Sequence, residues 1–318
     1  MPHVLVLGGT GFVGAALCEK LVERFGGGDA RIVVPSRRPA RAKAIQMLPT
    51  VELVAADVHD DAQLTRLLRR CDAVVNLVAI LHGNEQAFDQ VHVQLPRRLA
   101  QACTTAGVRR VVHVSALGAD VQAPSRYLRS KAAGEAALAS PAIDLTVLRP
   151  SVIFGEGDRF LNLFARLQSV FPVIPLAGVK ARFQPVWVED VALAIVRCLD
   201  DRTTIGETLE CCGPEVYTLS QLVRLAGRCA GHPRPVIGLP GPLARLQALM
   251  MELLPGDPLM SRDNLDSMRI DNVASGTRPG LARLGIRPAA VEAIAPLYLA
   301  RDQGPARLDI WRAAVHRR

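Results

Sequence analysis

The sequence predicts an α/β fold built on a doubly wound parallel sheet, with a smaller C-terminal lobe on its substrate-facing side. Short β-branched runs alternate with amphipathic stretches through the first 150 residues. Those runs are apolar throughout rather than at every second residue, the pattern of strands covered on both faces. A glycine cluster stands directly after the first run, where a strand would turn into a helix.

Taken in order, Val4–Leu7 reads as the first strand and Gly11–Phe25 as the helix behind it. Strand Arg31–Val34 leads to helix Arg38–Met47, and strand Val51–Ala55 to helix Asp60–Arg70. Ala73–Leu77 precedes helix Leu95–Gly107, Arg110–Val114 precedes helix Ser125–Ala139, and Leu145–Leu148 closes the series. Strands alternating with helices of this size require right-handed crossovers and hence parallel pairing. Beyond Arg149-Pro150 the rhythm becomes irregular and rich in Pro and Gly, although Val188–Leu199 and Leu219–Ala230 keep helical spacing and Thr208–Cys212 reads as one more strand.

Composition excludes several classes. With 318 residues, 49% hydrophobic and 21% charged, the chain can bury a large core and is not disordered. No run of 18 or more residues is both apolar and uncharged, which argues against a membrane-spanning helix. No signal or transit segment is apparent, so a cytoplasmic protein is expected, with peripheral contact on the cytoplasmic face of the inner membrane as a further option. Seven cysteines without a C-x-x-C fit a reduced compartment, and no Cys/His spacing for a metal is present. The net charge of +8 is scattered, and three tyrosines and two tryptophans offer no stacking platform, which speaks against nucleic acid. An anionic cofactor or an acidic membrane surface suits that charge better, and a mean hydropathy of +0.20 keeps the membrane in view.

Gly8-Gly9-Thr10-Gly11-Phe12-Val13-Gly14 supplies the chemistry of the first turn. Glycines permit a tight turn and close approach of backbone to a pyrophosphate, which then sits on the helix N-terminus. The strand–turn–helix context makes this a Rossmann dinucleotide fingerprint. An NAD site would carry Asp or Glu after the second strand, but Ser36-Arg37-Arg38 stands there. Guanidiniums match a 2′-phosphate in charge and shape, so NADP(H) is expected in preference to NAD(H). Asp57, after the third strand beside Val58, either accepts from the adenine amino group or caps the helix beginning near Asp60. Residues 1–150 are thus expected to form an NADP(H)-binding domain, 151–300 a smaller mixed lobe interleaved with it, and 301–318 a basic tail.

Tyr127 and Lys131 are four apart and share one helix face. The chain holds four lysines against 34 arginines, so a lysine kept here points to a need for a compact ammonium. A nearby ammonium is expected to draw the phenol pKa down from about 10 towards working pH. Ser115 ends the fifth strand at the carboxyl edge of the sheet, where its hydroxyl would orient a substrate carbonyl while Tyr127 donates the proton.

Jointly these residues resemble the short-chain dehydrogenase/reductase superfamily in its extended or atypical, epimerase/dehydratase-like branch. Leu148-Arg149-Pro150-Ser151-Val152-Ile153-Phe154-Gly155 and Gln184-Pro185-Val186-Trp187-Val188-Glu189-Asp190-Val191-Ala192 are further matches. The resemblance implies a role for Ala79, Pro150 and Val152 in lining the cofactor, and for Lys131 in holding the nicotinamide ribose. Ser125–Glu135, Asp158–Asn162 and Ser261–Asp271 are similar to the dehydrogenase-like accessory subunit of respiratory complex I and its bacterial relatives, a likeness running from about His3 to Asn272. That likeness implies two functions: a hydride-transferring oxidoreductase for a small apolar carbonyl or quinone-like substrate, or a respiratory subunit holding NADPH as a structural cofactor.

In the second lobe, the apolar stretch 242–254 predicts a helix that either covers the substrate cleft as part of the core or forms an apolar flap that admits a lipid or quinone or rests on a membrane protein. The tail residues Arg307, Arg312, His316, Arg317 and Arg318 would assist at an anionic surface.

Overall fold

The computed structural model describes residues 3–26, 30–253 and 260–300. The basic tail of the sequence lies outside these residues.

Seven parallel strands form the central sheet: β1 (His3–Leu7), β2 (Arg31–Ser36), β3 (Val51–Ala55), β4 (Ala73–Asn76), β5 (Arg110–Val114), β6 (Asp144–Pro150) and β7 (Thr208–Cys211). Their spatial order is β7-β6-β5-β4-β1-β2-β3. The chain runs outward from β1 through β2 to β3, then returns to β4 on the other side of β1. The β1–β4 boundary, where Val4 pairs with Ala73 and Leu7 with Asn76, is therefore the place where the winding reverses. Doubly wound sheets bind ligands beyond the carboxyl ends of the strands at such a reversal.

Helices cover both faces, which explains the unbroken apolar strands. On one face α1 (Phe12–Phe25) packs with a later helix, and Leu17, Leu21, Val191 and Ile195 share a core with Val4, Val6 and Val34. On the other lie α2 (Asp61–Leu68), α3 (Leu95–Ala106) and α4 (Arg126–Leu138), whose Leu64, Leu68, Leu99 and Leu138 enclose Leu5, Leu7, Val74 and Val111. The second lobe adds α5 (Leu161–Val170), α6 (Val188–Asp200), α7 (Leu219–Cys229), α8 (Gly241–Glu252), α9 (Arg262–Ser267) and α10 (Val291–Leu299). Of these, α6 is the helix that returns to pack on α1, while α5, α7 and α10 build a separate core around Phe154, Leu161, Leu222 and Val291.

Two sequence expectations change. The helix expected over Arg38–Met47 is a 3-10 turn at Pro39–Arg41 followed by one short α-turn, Lys43–Gln46. Pro39 removes one amide donor, and of the described apolar side chains there Ala42 and Ile45 are buried while Met47 is exposed. The apolar helix of the second lobe exists as α8, but Ala244 and Ala248 are its buried residues and its leucines face outward, so it is not a core helix. Before α3, Glu85–Asp89 and a π-helical turn, Gln90–Gln94, form a segment that the sequence periodicity did not announce.

That π-turn brings backbone unusually close to α4: a Cβ at Gly134 would stand 2.1 Å from the His92 carbonyl oxygen. Gly134→Ala is expected to push α4 off its neighbour and destabilise the fold by about 1–3 kcal/mol, the usual range for overpacking. Urea unfolding measures this, and an unchanged midpoint would remove the close approach from the account of stability.

Candidate dinucleotide and proton-transfer site

The first turn is built by backbone contact. Gly8 has φ +82°, and its carbonyl accepts from the Gly11 amide at 3.0 Å. A Cβ on Gly14 would stand 2.3 Å from that same carbonyl oxygen and 2.5 Å from Gly9 Cα. Helix α1 therefore begins pressed against the turn, as only glycine permits. Its N-cap, Gly11, has no capping side chain and its first turn has no acidic residue. The positive end of the helix dipole is left for an anion.

Beside the turn lies a hollow of about 510 Å³. It is lined by Gly8, Thr10, Ser36, Arg37, Arg38, Asp57 and Val58, together with Pro35, Ala56, His59 and Val78. Seven residues picked from separate strand ends thus meet in one cavity. Ser36 Oγ accepts from the Arg38 amide at 3.2 Å, which fixes the bend carrying both arginines. Asp57 Oδ1 accepts from the His59 amide at 3.0 Å, while Asp60 caps α2 by accepting from Gln63 at 2.9 Å. Of the two sequence readings of Asp57, the helix cap belongs to Asp60.

Phe12 and Val13 pack into the α1 face of the core, with Phe12 against Gly155. Ala79 is exposed on the loop after β4, next to Val78. On the far side of the winding reversal, Pro150 ends β6 and its carbonyl accepts from Leu117 at 2.9 Å. The Val152 amide donates to Asn272 Oδ1 at 2.9 Å.

Ser115, Tyr127 and Lys131 occupy this second half. The Ser115 amide is held by the Leu148 carbonyl at 2.7 Å, yet its buried Oγ has no partner among the described residues. An orphaned hydroxyl there is suited to a ligand carbonyl or ribose, since an unsatisfied buried group costs about 1–3 kcal/mol. Lys131 is 2% exposed, and its Nζ donates to the Val114 carbonyl at 2.9 Å. Burial brings its pKa down to about 8, so the ammonium stays largely charged at neutral pH. Half-buried Tyr127 stacks edge-on with His92 at 5.6 Å and Phe88 at 6.2 Å. Burial pushes its phenol up to about 12, the opposite of the direction the sequence suggested. The cause is desolvation of the phenolate, while the Lys131 ammonium is directed at the Val114 backbone carbonyl.

Several residues that hold this half were missed in the sequence. His92 Nε2 accepts from the Ile80 amide at 3.1 Å, which assigns the ring proton to Nδ1, 2.8 Å from Ser130 Oγ. Ser130 donates in turn to the Tyr127 carbonyl at 2.8 Å. The chain ties the loop after β4 to the first turn of α4. Asn76 and His113 pair at 3.2 Å under the same helix. Ser125 is the N-cap of α4, accepting from the Leu128 amide at 3.2 Å. Asp263 of α9 adds a second cap from 137 residues away, accepting from the Arg126 amide at 2.8 Å and from the Tyr127 amide at 3.1 Å. Its one sequence signal is the Ser261–Asp271 match, which says nothing of its target.

The class of protein follows from this sheet, turn and paired half-sites: a dinucleotide-binding Rossmann fold. The NAD dependent epimerase/dehydratase family model matches residues 4–212. The chain belongs to that family and has its NAD(P)-binding fold. Among curated relatives, it is 33% identical to the mouse (Mus musculus) mitochondrial NADH dehydrogenase [ubiquinone] 1 alpha subcomplex subunit 9, over 90% of this chain and 77% of that one. It is 29% identical to a ceramide reductase of Caulobacter vibrioides, over 75% of this chain and 74% of the relative. Among solved structures, the UDP-glucose 4-epimerase of Thermotoga maritima superposes with a TM-score of 0.70 at 17% identity, covering 98% of this chain and 99% of that one. A UDP-glucuronic acid 4-epimerase of Bacillus cereus, solved with NAD, reaches 0.64 at 17% identity, over 85% and 98% of the two chains.

The buried histidines set an acid limit. Burial and the Lys131 charge bring His92 down to about 3 from 6.5, and burial lowers His113 in the same direction. As pH falls below 6.5 the unfolded chain takes up the proton and the folded chain does not, so stability declines towards about pH 3. For one such site the slope is about 1.4 kcal/mol per pH unit. His92→Gln is expected to flatten that slope by one proton's worth, read from urea unfolding between pH 6.5 and 4. A parallel pH dependence in wild type and variant would remove His92 from the acid limit.

Proposed function

We propose that the carboxyl edge of the sheet holds NADP(H) in preference to NAD(H), and that the protein is an oxidoreductase for a carbonyl or quinone-like apolar substrate. The observation that supports the reading is an arginine-lined hollow beside a glycine turn, on the same carboxyl edge of the sheet as the buried Ser115 hydroxyl, which has no partner among the described residues. Gly8, Thr10, Gly11 and Gly14 would cradle the pyrophosphate, with Phe12 and Val13 at the start of α1 beneath it. Ser36, Arg37 and Arg38 would receive the 2′-phosphate, and Asp57 and Val58 would border the adenine. Ala79, Pro150 and Val152 would border the nicotinamide end. When bound, the cofactor supplies a hydride. Ser115 would orient the substrate carbonyl by hydrogen bonding. Tyr127, protonated throughout the neutral range, would hold the proton at Oη ready to donate. Lys131 would hold the ribose and lower the cost of forming phenolate.

A second reading has its own support. The mouse relative is named as a subunit of a ubiquinone-reducing NADH dehydrogenase. In this reading the chain is an accessory or assembly subunit of a respiratory membrane complex, NADPH contributes folding stability by mass action, and Tyr127 does no proton transfer. In this reading the contact with the complex is peripheral; no described helix is long and apolar enough to cross a membrane.

Protein purified without added nucleotide, analysed by mass spectrometry and timed for exchange against labelled NADPH, separates the readings. Exchange within seconds, with Tyr127→Phe keeping NADPH affinity and abolishing reductase turnover, supports the enzyme. Retention for hours without turnover supports the subunit. The specificity claim has its own test: Arg37→Glu with Arg38→Glu is expected to weaken NADPH binding tenfold to a hundredfold while sparing NADH, in line with about 1.5–3 kcal/mol for charge-assisted bonds. Equal losses for both nucleotides would place the 2′-phosphate elsewhere.

A further inference from the structure

Outside the cofactor cleft, α8 carries an apolar face that the fold leaves uncovered. Leu246, Met250 and Leu253 are 54%, 59% and 72% exposed, and Leu243 stands one turn earlier on the same side. The strand pair beside it, where Val236–Gly238 runs against Ile174–Leu176, is joined to α8 by the Gln247 side chain and the Pro175 carbonyl at 3.3 Å. That pair adds exposed Ile237. Several large apolar side chains exposed along one helix face are the kind of surface that serves interaction.

Next to the leucines lies a hollow of about 790 Å³ whose polar lining is Arg126, Arg129, Arg245 and Arg262 against Asp263 and Asp266. The acidic groups are already engaged: Asp263 by the α4 amides and Arg126 at 3.4 Å, and Asp266 by Arg269 at 4.0 Å. Arg262 is paired with Glu252 at 2.9 Å. Arg129 donates to the Ala123 and Pro124 carbonyls, and neither it nor Arg245 has an ion pair among the described residues. Two guanidiniums without an ion pair among the described residues, beside an apolar helix, match an amphiphile in chemistry, with phosphate at the arginines and acyl chain at the leucines.

We propose that α8 and this arginine hollow form a docking surface for the leaflet of a bilayer rich in anionic phospholipid. The inference deepens the peripheral-contact part of the subunit reading and does not depend on what the cofactor cleft binds. The chain's own tail is a poor occupant: residues 301–318 carry five arginines against two aspartates, the wrong sign for this hollow.

The test is flotation of the full chain with vesicles of phosphatidylcholine, with and without one quarter phosphatidylglycerol. Wild type is expected to float with the anionic vesicles only. Arg129→Glu with Arg245→Glu, and separately Leu246→Asp with Leu253→Asp, are each expected to lower partitioning about tenfold or more, through loss of attraction to the anionic surface and loss of apolar insertion respectively. NADPH affinity and circular dichroism, unchanged in both variants, show that the fold and the cofactor reading stand apart from the result. Equal binding to neutral vesicles would overturn the headgroup assignment, and no binding by wild type would overturn the docking surface. Loss on reversing Arg312, Arg317 and Arg318 with none on reversing Arg129 and Arg245 would also overturn it, by moving the contact to the tail.

Discussion

The backbone of Gly14 crosses the carbonyl of Gly8 so closely that no side chain fits between them. Everything at the carboxyl edge of the sheet depends on this contact. It sets the axis of α1 against β1, and so brings Leu17 and Leu21 onto the core that α6 closes from the other side. It also leaves the first turn of α1 without a side-chain cap, because glycine at position 11 has none to offer. A helix end that satisfied its own amides would be no better packed, and it would have no use for an anion. Local sequence and global fold agree here, and the agreement produces a binding site.

The other half of the cleft is held by a different device. Helix α4 is anchored at its first turn by carboxylate, hydroxyl and imidazole groups from three places, two of them distant in sequence. Ser125 comes from its own chain end, Asp263 from α9, and His92 from the π-turn before α3, acting through Ser130. Glu252 of α8 in turn accepts from the Arg262 amide at the start of α9. Capping thus passes from α8 to α9 to α4, and the second lobe grips the helix that carries Tyr127. The buried polar groups near that helix are neutral or paired, with His92 and His113 held uncharged and Lys131 donating to Val114. The Ser115 hydroxyl, like His113 Nε2, has no partner among the described residues, and a buried hydroxyl left unsatisfied at the carboxyl edge of the sheet is suited to a ligand.

The tyrosine illustrates how burial and pairing compete. A lysine four residues on does place an ammonium on the right helix face. The same packing that buries Lys131 also removes water from the phenol, and that desolvation raises the phenol pKa. A phenol that stays protonated is a competent donor and a poor spontaneous base. Proton transfer in the other direction would need added stabilisation of the phenolate. Both the enzyme and the subunit reading are consistent with that chemistry, and turnover decides between them.

Much of the fold was legible because it is written in local patterns. Unbroken apolar runs and the helical periodicity between them determined the parallel sheet, and the glycine spacing after β1 determined the first turn, since glycine's lack of a Cβ is a property of the residue alone. Arg37 and Arg38 were readable for the same reason: a charge at a strand end needs no partner to be noticed. What only the tertiary structure decided depends on strand order and on contacts across long separations. The reversal between β1 and β4 places the arginine hollow and the Ser115 half side by side on one edge, although 77 residues separate Arg38 from Ser115. Asp263 and Asn272 looked like ordinary polar residues until the second lobe set them against α4 and the β6 loop. The outward face of α8 was equally hidden, because an apolar helix reads alike whether a core covers it or not. Periodicity reports which residues share a face; only packing reports what that face meets.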